Sequence, residues 1–225
     1  MQLKERIARR VAQEIAPGML VNLGIGLPSL VAGFVPSDAG IFFQSENGVI
    51  GLGARPPEGM EEPDLTDAGG GFVTAVPGAA AIDSAMSFGL IRGGHIDLTV
   101  LGGLQVDERG LLANWMIPGA MVPGMGGAMD LATGARKVIV AMQHMANGKS
   151  KIVRKCDLPL TSLRPIDLLV TDLAVFEVAQ SGLMLKEIAP DVTVGDVETS
   201  TEARFEICGD LKRMDKNRPA IAEVQ

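Results

Sequence analysis

Short apolar segments that stop abruptly at glycines or polar residues recur along this chain of 225 residues. The clearest is residues 96–101, a run rich in aliphatic side chains that is followed by two glycines. Residues 19–24 and 137–142 have the same character, and an amphipathic helical pattern over residues 3–16 precedes the first of them. Short apolar runs of this kind, alternating with helical patterns, are typical of buried strands covered by helices. The chain is therefore predicted to form an α/β sheet.

The second half of the chain departs from this pattern. Residues 166–170, 174–178 and 182–188 follow one another with only turn residues between them, which favours antiparallel neighbours. We therefore expect an open, mostly parallel sheet flanked by helices, with antiparallel strands toward the C-terminal end. The sequence has no internal repeat and no linker, so residues 1–225 are predicted to form a single domain with a frayed tail at about 212–225.

Composition and charge argue against several classes of function. The net charge of -7 disfavours nucleic acid, whose phosphates need a basic face. The two histidines and two cysteines are not at ligand spacing, so neither a metal site nor a disulfide framework is expected. The sequence shows no run long enough to span a bilayer and no signal-peptide core. We expect a cytoplasmic protein with no membrane partner, no metal and no tightly bound cofactor.

One carboxylate, that of Glu46, lies between the apolar run 41–43 and a glycine turn. Asn47 and Gly48 both tolerate a positive φ, so the chain is expected to reverse direction directly after the carboxylate. Open α/β sheets bind their ligands at the carboxyl ends of their strands. Glu46 is therefore a candidate for an anion or acyl site, although on spacing alone a solvated or capping glutamate is the more frequent alternative.

Glycine-rich turns are candidates for the rest of such a site. The turn that contains Gly24 and Gly26 resembles a dinucleotide-binding fingerprint only in its first two glycines, so nicotinamide binding is not expected. Gly102, Gly103 and the segment 124–127 flank the single tryptophan. Glycines just before a helix leave backbone N–H groups available for a phosphate or an oxyanion. The alternative is that they only permit close packing.

The histidines and one loop each admit two interpretations. His144 follows the apolar run 137–142 and is a candidate base or anion ligand, but a hydrogen-bonded structural histidine is the more frequent case. The same holds for His95. Residues 54–64 are rich in proline and acidic side chains, so they are expected to form a surface loop near Glu46 that is either a lid or a connector.

Several motifs, taken in order, resemble one family. Residues 44–51 resemble the Ser-Glu-Asn-Gly signature of the family I coenzyme A transferases, specifically the beta subunit of the 3-oxoacid and acetoacetate enzymes. Other segments look like that subunit in the same order, namely residues 22–26, 92–95, 101–106, 113–118 and 124–131. The resemblance covers residues 5–208, and it implies the three-layer fold of coenzyme A transferases and related isomerases.

The resemblance implies that Glu46 is the nucleophile, and the chemistry supports this independently. Moving coenzyme A between two acids without losing the thioester requires an enzyme carboxylate that holds the thiol in between. The resemblance also implies an oxyanion or acyl site at Gly126, Gly127 and Asn47. The wall facing coenzyme A or the substrate would be formed by Gly24, Gly26, Gly102, Gly103 and Gln105.

The resemblance further implies a partner and a reaction. The glycine-rich coenzyme A signature of the family's other subunit is not found here, so an alpha subunit is implied, in an α2β2 assembly, with coenzyme A and short carboxylic acids as substrates. The implied reaction transfers coenzyme A between succinyl-CoA or acetyl-CoA and a 3-oxo acid such as acetoacetate, by ping-pong chemistry through a glutamyl thioester on Glu46. Residues 121–127 look more like the acetoacetate and succinate enzymes than like the 3-oxoadipate branch.

Other functions on this fold stay open at this point. A 3-oxoadipate transferase, a butyrate or acetate transferase and an acyl-CoA hydrolase would share the fold. A non-catalytic scaffold subunit is a further alternative, although the intact Glu46 speaks against it. A sugar-phosphate isomerase would need clustered acids and a lysine that the sequence does not show near Glu46.

Overall fold

The computed structural model describes residues 2–119 and 124–214. Within these residues the α-helices are α1 (Gln2–Ala12), α2 (Ser84–Arg92), α3 (Ala128–Gly134) and α4 (Val194–Ser200), and Pro28–Phe34 forms a 3₁₀ helix. The strands are β1 (Leu20–Leu23), β2 (Phe42–Ser45), β3 (Val49–Leu52), β4 (Ala75–Ala81), β5 (Leu98–Leu101), β6 (Gln105–Asp107), β7 (Leu112–Ala113), β8 (Lys137–Ala141), β9 (Met145–Ala146), β10 (Lys149–Ser150), β11 (Ile152–Val153), β12 (Leu168–Val170), β13 (Ala174–Ala179), β14 (Gly182–Ile188) and β15 (Phe205–Arg213).

Ten of the described strands build one large mixed sheet with the order β15-β14-β13-β12-β8-β5-β1-β2-β3-β4, while β11-β6-β7 and β10-β9 form two small sheets. Its centre, from β12 to β2, is parallel. β13 pairs antiparallel with both of its neighbours at one end, and β3 does the same at the other. The predicted open sheet with antiparallel strands toward the C-terminal end is confirmed. The structure adds a second antiparallel group next to β2.

The central strands are covered on both faces. Every residue of β5 and of β12 is buried, and side chains alternate between the two faces of a strand. Helix α1 places Ile7, Ala8 and Val11 in the core with no exposed surface, and it packs against the 3₁₀ helix, β8 and β12. On the same sheet, α3 packs against β5 and α2. The apolar runs of the sequence therefore form the middle layer between helices, as α/β sheets require.

Local capping decides where the helices begin. Asp83 caps α2 by accepting a hydrogen bond from the backbone N–H of Met86. β4 continues to Ala81, and this cap fixes the first turn of α2 at Ser84. Thr193 and Asp196 form a reciprocal capping box on α4, which fixes the first turn of that helix.

The C-terminal region contains a strand that the sequence pattern did not predict. β15 pairs parallel with β14 as far as Arg213, so residues 212 and 213 of the predicted tail belong to the sheet. Residues 215–225 lie outside the described residues, as do 121–123 of the motif compared with the 3-oxoadipate branch. The single domain over residues 1–225 stays a prediction. None of the described helices has the length and hydropathy that crossing a bilayer requires.

Candidate active site

Glu46 lies in the tight turn between β2 and β3, at the carboxyl end of a parallel strand. Gly48 has a φ of +116° and donates its backbone N–H to the carbonyl of Ser45 at 3.0 Å. A side chain at Gly48 would collide with the backbone of Ile82, so only glycine fits there. The predicted reversal of the chain after Glu46 is confirmed, and it places the carboxylate at the edge where open sheets bind ligands.

A row of buried polar side chains crosses three adjacent parallel strands beside Glu46. Asn22 of β1 pairs in register with Gln44 of β2 and Thr99 of β5. Asn22 and Thr99 have no exposed surface and Gln44 has 1%. Thr99 Oγ1 donates to Asn22 Oδ1 at 3.3 Å. Buried polar groups are costly unless they are hydrogen-bonded, so this row fixes the side-chain amide of Asn22 in one orientation.

The amide of Asn22 reaches the carboxylate. Asn22 Nδ2 lies 2.9 Å from Gln44 Oε1, 3.2 Å from Gln44 O and 3.3 Å from Glu46 Oε2. Gln44 Nε2 in turn donates to Ser87 Oγ of α2 at 3.0 Å. An amide nitrogen has two hydrogens for these three acceptors. The contact with Glu46 is the longest, so the carboxylate is oriented without being tightly bound.

The other carboxylate oxygen faces the start of α3. A Cβ atom built on Gly127 would lie 2.9 Å from Glu46 Cγ and 3.1 Å from Glu46 Oε1. The backbone of Gly127 therefore approaches Glu46 more closely than any other residue type would allow. Gly127 is buried and caps α3 with an ordinary φ of −78°. Its close approach, rather than its backbone conformation, is what requires a glycine.

Two cavities meet at Glu46. Both are lined by Gly24, Ile25, Glu46 and Ala68. The apolar cavity, of about 340 Å³, is also lined by the side chains of Leu23, Ala32, Phe43, Leu52 and Val73. The glycine-lined cavity, of about 480 Å³, is also lined by Gly102, Gly103, Gly124, Gly126 and Gly127. A single carboxylate is thus accessible from two cavities, which suits a group that reacts with a ligand extending to both sides of it.

A sequence profile of the family described as Coenzyme A transferase matches residues 4–200 of this chain. The chain belongs to the coenzyme A transferase family. The family and the enzyme class predicted from the sequence are therefore confirmed. In this coenzyme A transferase, the carboxylate of Glu46 lies where the two cavities meet.

Relatives of this coenzyme A transferase chain bear two kinds of name. It is 57% identical over 212 residues to the beta subunit of the acetate CoA-transferase of Escherichia coli K12, covering 94% of this chain and 97% of the relative. It is 52% identical to one subunit of the succinyl-CoA:3-ketoacid coenzyme A transferase of Helicobacter pylori 26695, covering 91% of this chain and 99% of the relative.

A solved structure has the same fold in a longer chain. The crystal structure of the acyl-CoA transferase YdiF from Escherichia coli O157:H7 matches with a TM-score of 0.78 and 24% identity, over 97% of this chain and 45% of that chain. This chain thus spans less than half the length of that protein. The likeness at this identity concerns the fold.

All six predicted wall and oxyanion glycines of this coenzyme A transferase line at least one of the two cavities at Glu46, namely Gly24, Gly26, Gly102, Gly103, Gly126 and Gly127. Two side chains outside the turn donate hydrogen bonds to the carbonyls of Gly102 and Gly103. Asn114 Nδ2 donates to the carbonyl of Gly102 at 3.1 Å, and Lys151 Nζ donates to that of Gly103 at 2.6 Å. Burial lowers the pKa of Lys151, and the charge of Asp172 opposes this effect.

The structure places two predicted site residues elsewhere. Gln105 Oε1 accepts hydrogen bonds from the backbone N–H groups of Asp157 and Leu158 at 3.2 Å each, and Gln105 lines neither cavity at Glu46. Its side-chain carbonyl holds the loop at residues 157–158, and its role in a wall facing the substrate stays a prediction. Asn47 Nδ2 donates to the carbonyl of Thr66 at 2.8 Å, so its amide is already used by the protein.

The loop beside Glu46 is not the one expected. Residues 66–71, here called the Asp67 loop, contribute Asp67, Ala68, Gly69 and Gly71 to the apolar cavity, and none of residues 54–64 lines it. Ala68 donates its backbone N–H to Ser45 Oγ at 2.8 Å, while Thr66 is held by Asn47. The residues on both sides of Glu46 therefore anchor this loop. Sequence reasoning also missed the Asn22 row, whose signal was polar residues inside apolar strands.

His144 belongs to a separate buried cluster. Its ring nitrogens lie 3.0 Å from Thr171 Oγ1 and 2.9 Å from Thr201 Oγ1, and the residue has no exposed surface. Burial lowers the pKa of His144 to about 4, with the charge of Asp172 opposing this effect. His144 lines neither cavity at Glu46, which favours the structural interpretation.

The remaining ionisable groups do not form a metal site within residues 2–119 and 124–214, where no three acidic, histidine or cysteine side chains are grouped to hold an ion. The predicted absence of a metal stays a prediction. Cys156 and Cys208 are free thiols, and neither lines the cavities at Glu46. Burial, with the charges of Asp107 and Asp157, raises the pKa of Cys156 to about 12.

Proposed function

We propose that this chain is the beta subunit of a transferase that moves coenzyme A between acetyl-CoA or succinyl-CoA and a 3-oxo acid such as acetoacetate. The observation that carries the proposal is the position of Glu46, a carboxylate shared by both cavities and oriented by Asn22. The names of the relatives, an acetate and a succinyl-CoA:3-ketoacid transferase, support the two donors.

The reaction proceeds by two rounds of acyl transfer at Glu46. A carboxylate oxygen of Glu46 attacks the thioester carbonyl of the donor, forming a mixed anhydride and releasing the coenzyme A thiolate. The thiolate attacks the Glu46 carbonyl carbon, giving a glutamyl thioester and the free donor acid. The acceptor carboxylate then displaces the thiolate from Glu46, and the thiolate cleaves the new anhydride. The products are the acceptor's thioester and the original carboxylate.

Each of these additions places negative charge on a carbonyl oxygen. We propose that the backbone N–H of Gly127, a residue adjacent to Glu46 Oε1, donates to that oxyanion, and one well-placed donor lowers the barrier by about 3 to 4 kcal/mol. Gly126 and the Gly102–Gly103 turn line the same cavity. Their roles as oxyanion site and coenzyme A wall form part of the proposal, as do those of Gly24 and Gly26.

The proposal includes a partner. Both relatives are named as one subunit of a transferase, and the Escherichia coli relative as its beta subunit. This chain corresponds to 45% of the length of the longer acyl-CoA transferase chain, so the rest of that chain has no counterpart here. We therefore propose an alpha subunit that supplies most of the coenzyme A recognition, in an α2β2 assembly in the cytoplasm. The chain without this partner is expected to be inactive.

The test is direct detection of the intermediate. The chain, purified together with its alpha subunit, is incubated with acetoacetyl-CoA, and its peptides are examined by mass spectrometry. We expect coenzyme A joined to Glu46 with the loss of one water molecule, and no adduct in a Glu46→Gln variant that remains folded. An unlabelled Glu46 in an enzyme that still transfers coenzyme A would contradict the proposal.

A further inference from the structure

We propose that the apolar cavity is the acyl pocket of this enzyme, and that it takes short monocarboxylic acyl groups in preference to dicarboxylic ones such as succinyl. The inference rests on the proposed function and narrows its substrate class. It assigns the two sides of Glu46 to the two ends of the substrate thioester. The acyl group would occupy the apolar cavity, and the thiol arm of coenzyme A would approach through the glycine-lined cavity.

The polar groups around the apolar cavity are already used within the protein. Ser29 Oγ donates to the carbonyl of Gly26 at 2.8 Å, and Ser45 Oγ accepts from the backbone N–H of Ala68. The side chain of Gln44 is engaged by Asn22 and Ser87. A ligand that enters this cavity therefore finds few free hydrogen-bond partners, and a polar ligand group buried there would lose its bonds to water without replacement.

The lining favours an aliphatic tail instead. Six apolar side chains surround the space, those of Leu23, Ile25, Ala32, Phe43, Leu52 and Val73. Each buried methylene of a ligand favours binding by about fourfold. The volume of about 340 Å³ lies at the small end of ligand cavities, which suits an acyl chain of a few carbons and leaves no room for a pantetheine arm in addition.

Charge separates monocarboxylic from dicarboxylic acyl groups. Asp67 lines the cavity together with Glu46, and none of its described lining residues is a lysine, arginine or histidine. The second carboxylate of a succinyl group would be desolvated there beside two like charges, without a cation to pair with. An acetyl or butyryl group carries no such charge. The Asp67 carboxylate is therefore the proposed discriminating group.

The glycine-lined cavity is larger, at about 480 Å³, and Asp67 does not line it. Its walls combine the backbone of Gly102, Gly103, Gly124, Gly126 and Gly127 with the side chains of Leu101, Leu104, Asn114, Trp115, Met125 and Leu131. The arm of coenzyme A contains two amides, which need hydrogen-bonding partners of the kind that backbone supplies. The larger cavity, whose only described lining carboxylate is that of Glu46, therefore suits the longer thiol arm, and the smaller cavity is left for the acyl group.

The experiment uses the enzyme assembled with its alpha subunit and compares kcat/KM for acetyl-CoA, butyryl-CoA and succinyl-CoA, with acetoacetate as acceptor. Asp67 Oδ1 accepts the backbone N–H groups of both Gly69 and Gly71, so Asp67→Asn removes the charge while an oxygen remains for both bonds. We expect the succinyl-to-butyryl ratio of kcat/KM to rise about three- to tenfold.

A second variant, Ala32→Leu, narrows the cavity. We expect it to raise the acetyl-to-butyryl ratio of kcat/KM about tenfold.

Asp64→Asn is the matched control, because Asp64 is exposed and lines neither cavity, and both ratios should stay as in the wild type. Wild-type enzyme that uses succinyl-CoA as well as butyryl-CoA, or Asp67→Asn and Ala32→Leu variants with unchanged ratios, would overturn the pocket assignment. If the adduct on Glu46 forms in those same preparations, only the pocket assignment is lost. If no adduct forms, the proposed transfer chemistry is lost with it.

Discussion

Glu46 and His144 both follow the carboxyl end of a parallel strand in the same sheet, yet their surroundings differ. Both ring nitrogens of His144 have hydroxyl partners, and its side chain is sealed from solvent. Glu46 has one oxygen held at 3.3 Å by Asn22 and the other beside Gly127, where two cavities meet. A buried polar side chain whose hydrogen bonds are all made within the protein is held rigidly. A side chain that reacts with a ligand must be oriented as well, but it needs space beside it for that ligand.

The largest expected effect lies on the Glu46 side of this comparison. In Gly127→Ala the new methyl group would displace the Glu46 side chain, since the nearest contact is 2.9 Å. We expect kcat/KM for coenzyme A transfer to fall about 100- to 1000-fold, while the free energy of unfolding changes by less than about 1 kcal/mol. Steady-state assays with the alpha subunit and urea titration measure the two quantities.

Gly102→Ala is the control for that variant. A Cβ on Gly102 meets nothing within 4 Å, although the residue lines the same cavity. We expect a smaller loss of activity than in Gly127→Ala. Equal losses in the two variants would mean that any added methyl group in this cavity is harmful, and the close approach to Glu46 would explain nothing.

The next effect is on stability and arises from His144. Its pKa is about 4 in the folded protein and about 6.5 in an unfolded chain, so the unfolded state binds more protons between these values. The resulting stabilisation is complete above about pH 6.5 and is lost as pH falls toward 4, by about 3 kcal/mol in total. Urea titrations from pH 7.5 to pH 4 measure this loss.

His144→Leu identifies the residue responsible. Because leucine does not titrate, the variant should be less stable than the wild type at pH 7.5, and its stability should fall less steeply with acid. Its transfer activity at pH 7.5 should match the wild type, since His144 lines neither cavity. Parallel pH profiles in the two proteins would assign the acid sensitivity to other groups.

The smallest effect concerns Asn22, which connects the buried row to the carboxylate. Asn22→Leu removes the contact with Glu46 Oε2, and we expect kcat to fall about 10- to 30-fold, or about 1.4 to 2 kcal/mol. Ser87→Ala removes only the distant partner of Gln44 and serves as control. Similar kcat values for the two variants would show that Asn22 contributes to the fold alone.

Sequence patterns predicted the centre of the sheet well because its strands are short apolar runs with covered faces. They missed β15, whose burial alternates poorly along its length; its strand state depends on pairing with β14. They also missed the hairpin β9–β10 within residues 145–150. In each case a pairing partner, rather than local propensity, determines the structure.

The positions of the backbone turns in the candidate site could be predicted from the sequence, whereas the directions of its side chains could not. The glycines around Glu46 mark turns and close approaches that a sequence shows directly. The direction of a side chain is set by the three-dimensional surroundings instead. Gln105 and Asn47 look suited to a substrate, but each is used by a loop that is distant in sequence. The Asp67 loop docks through Ser45 in the same way.

The raised pKa of Cys156 has a consequence for a protein that handles activated acyl groups. With a pKa of about 12, roughly one molecule in 10⁵ carries the thiolate at pH 7. Thioester exchange requires that thiolate, so the sulfur of Cys156 is nearly inert toward any acyl-CoA in solution. We therefore expect no acylation of Cys156 to compete with the acyl transfer proposed at Glu46.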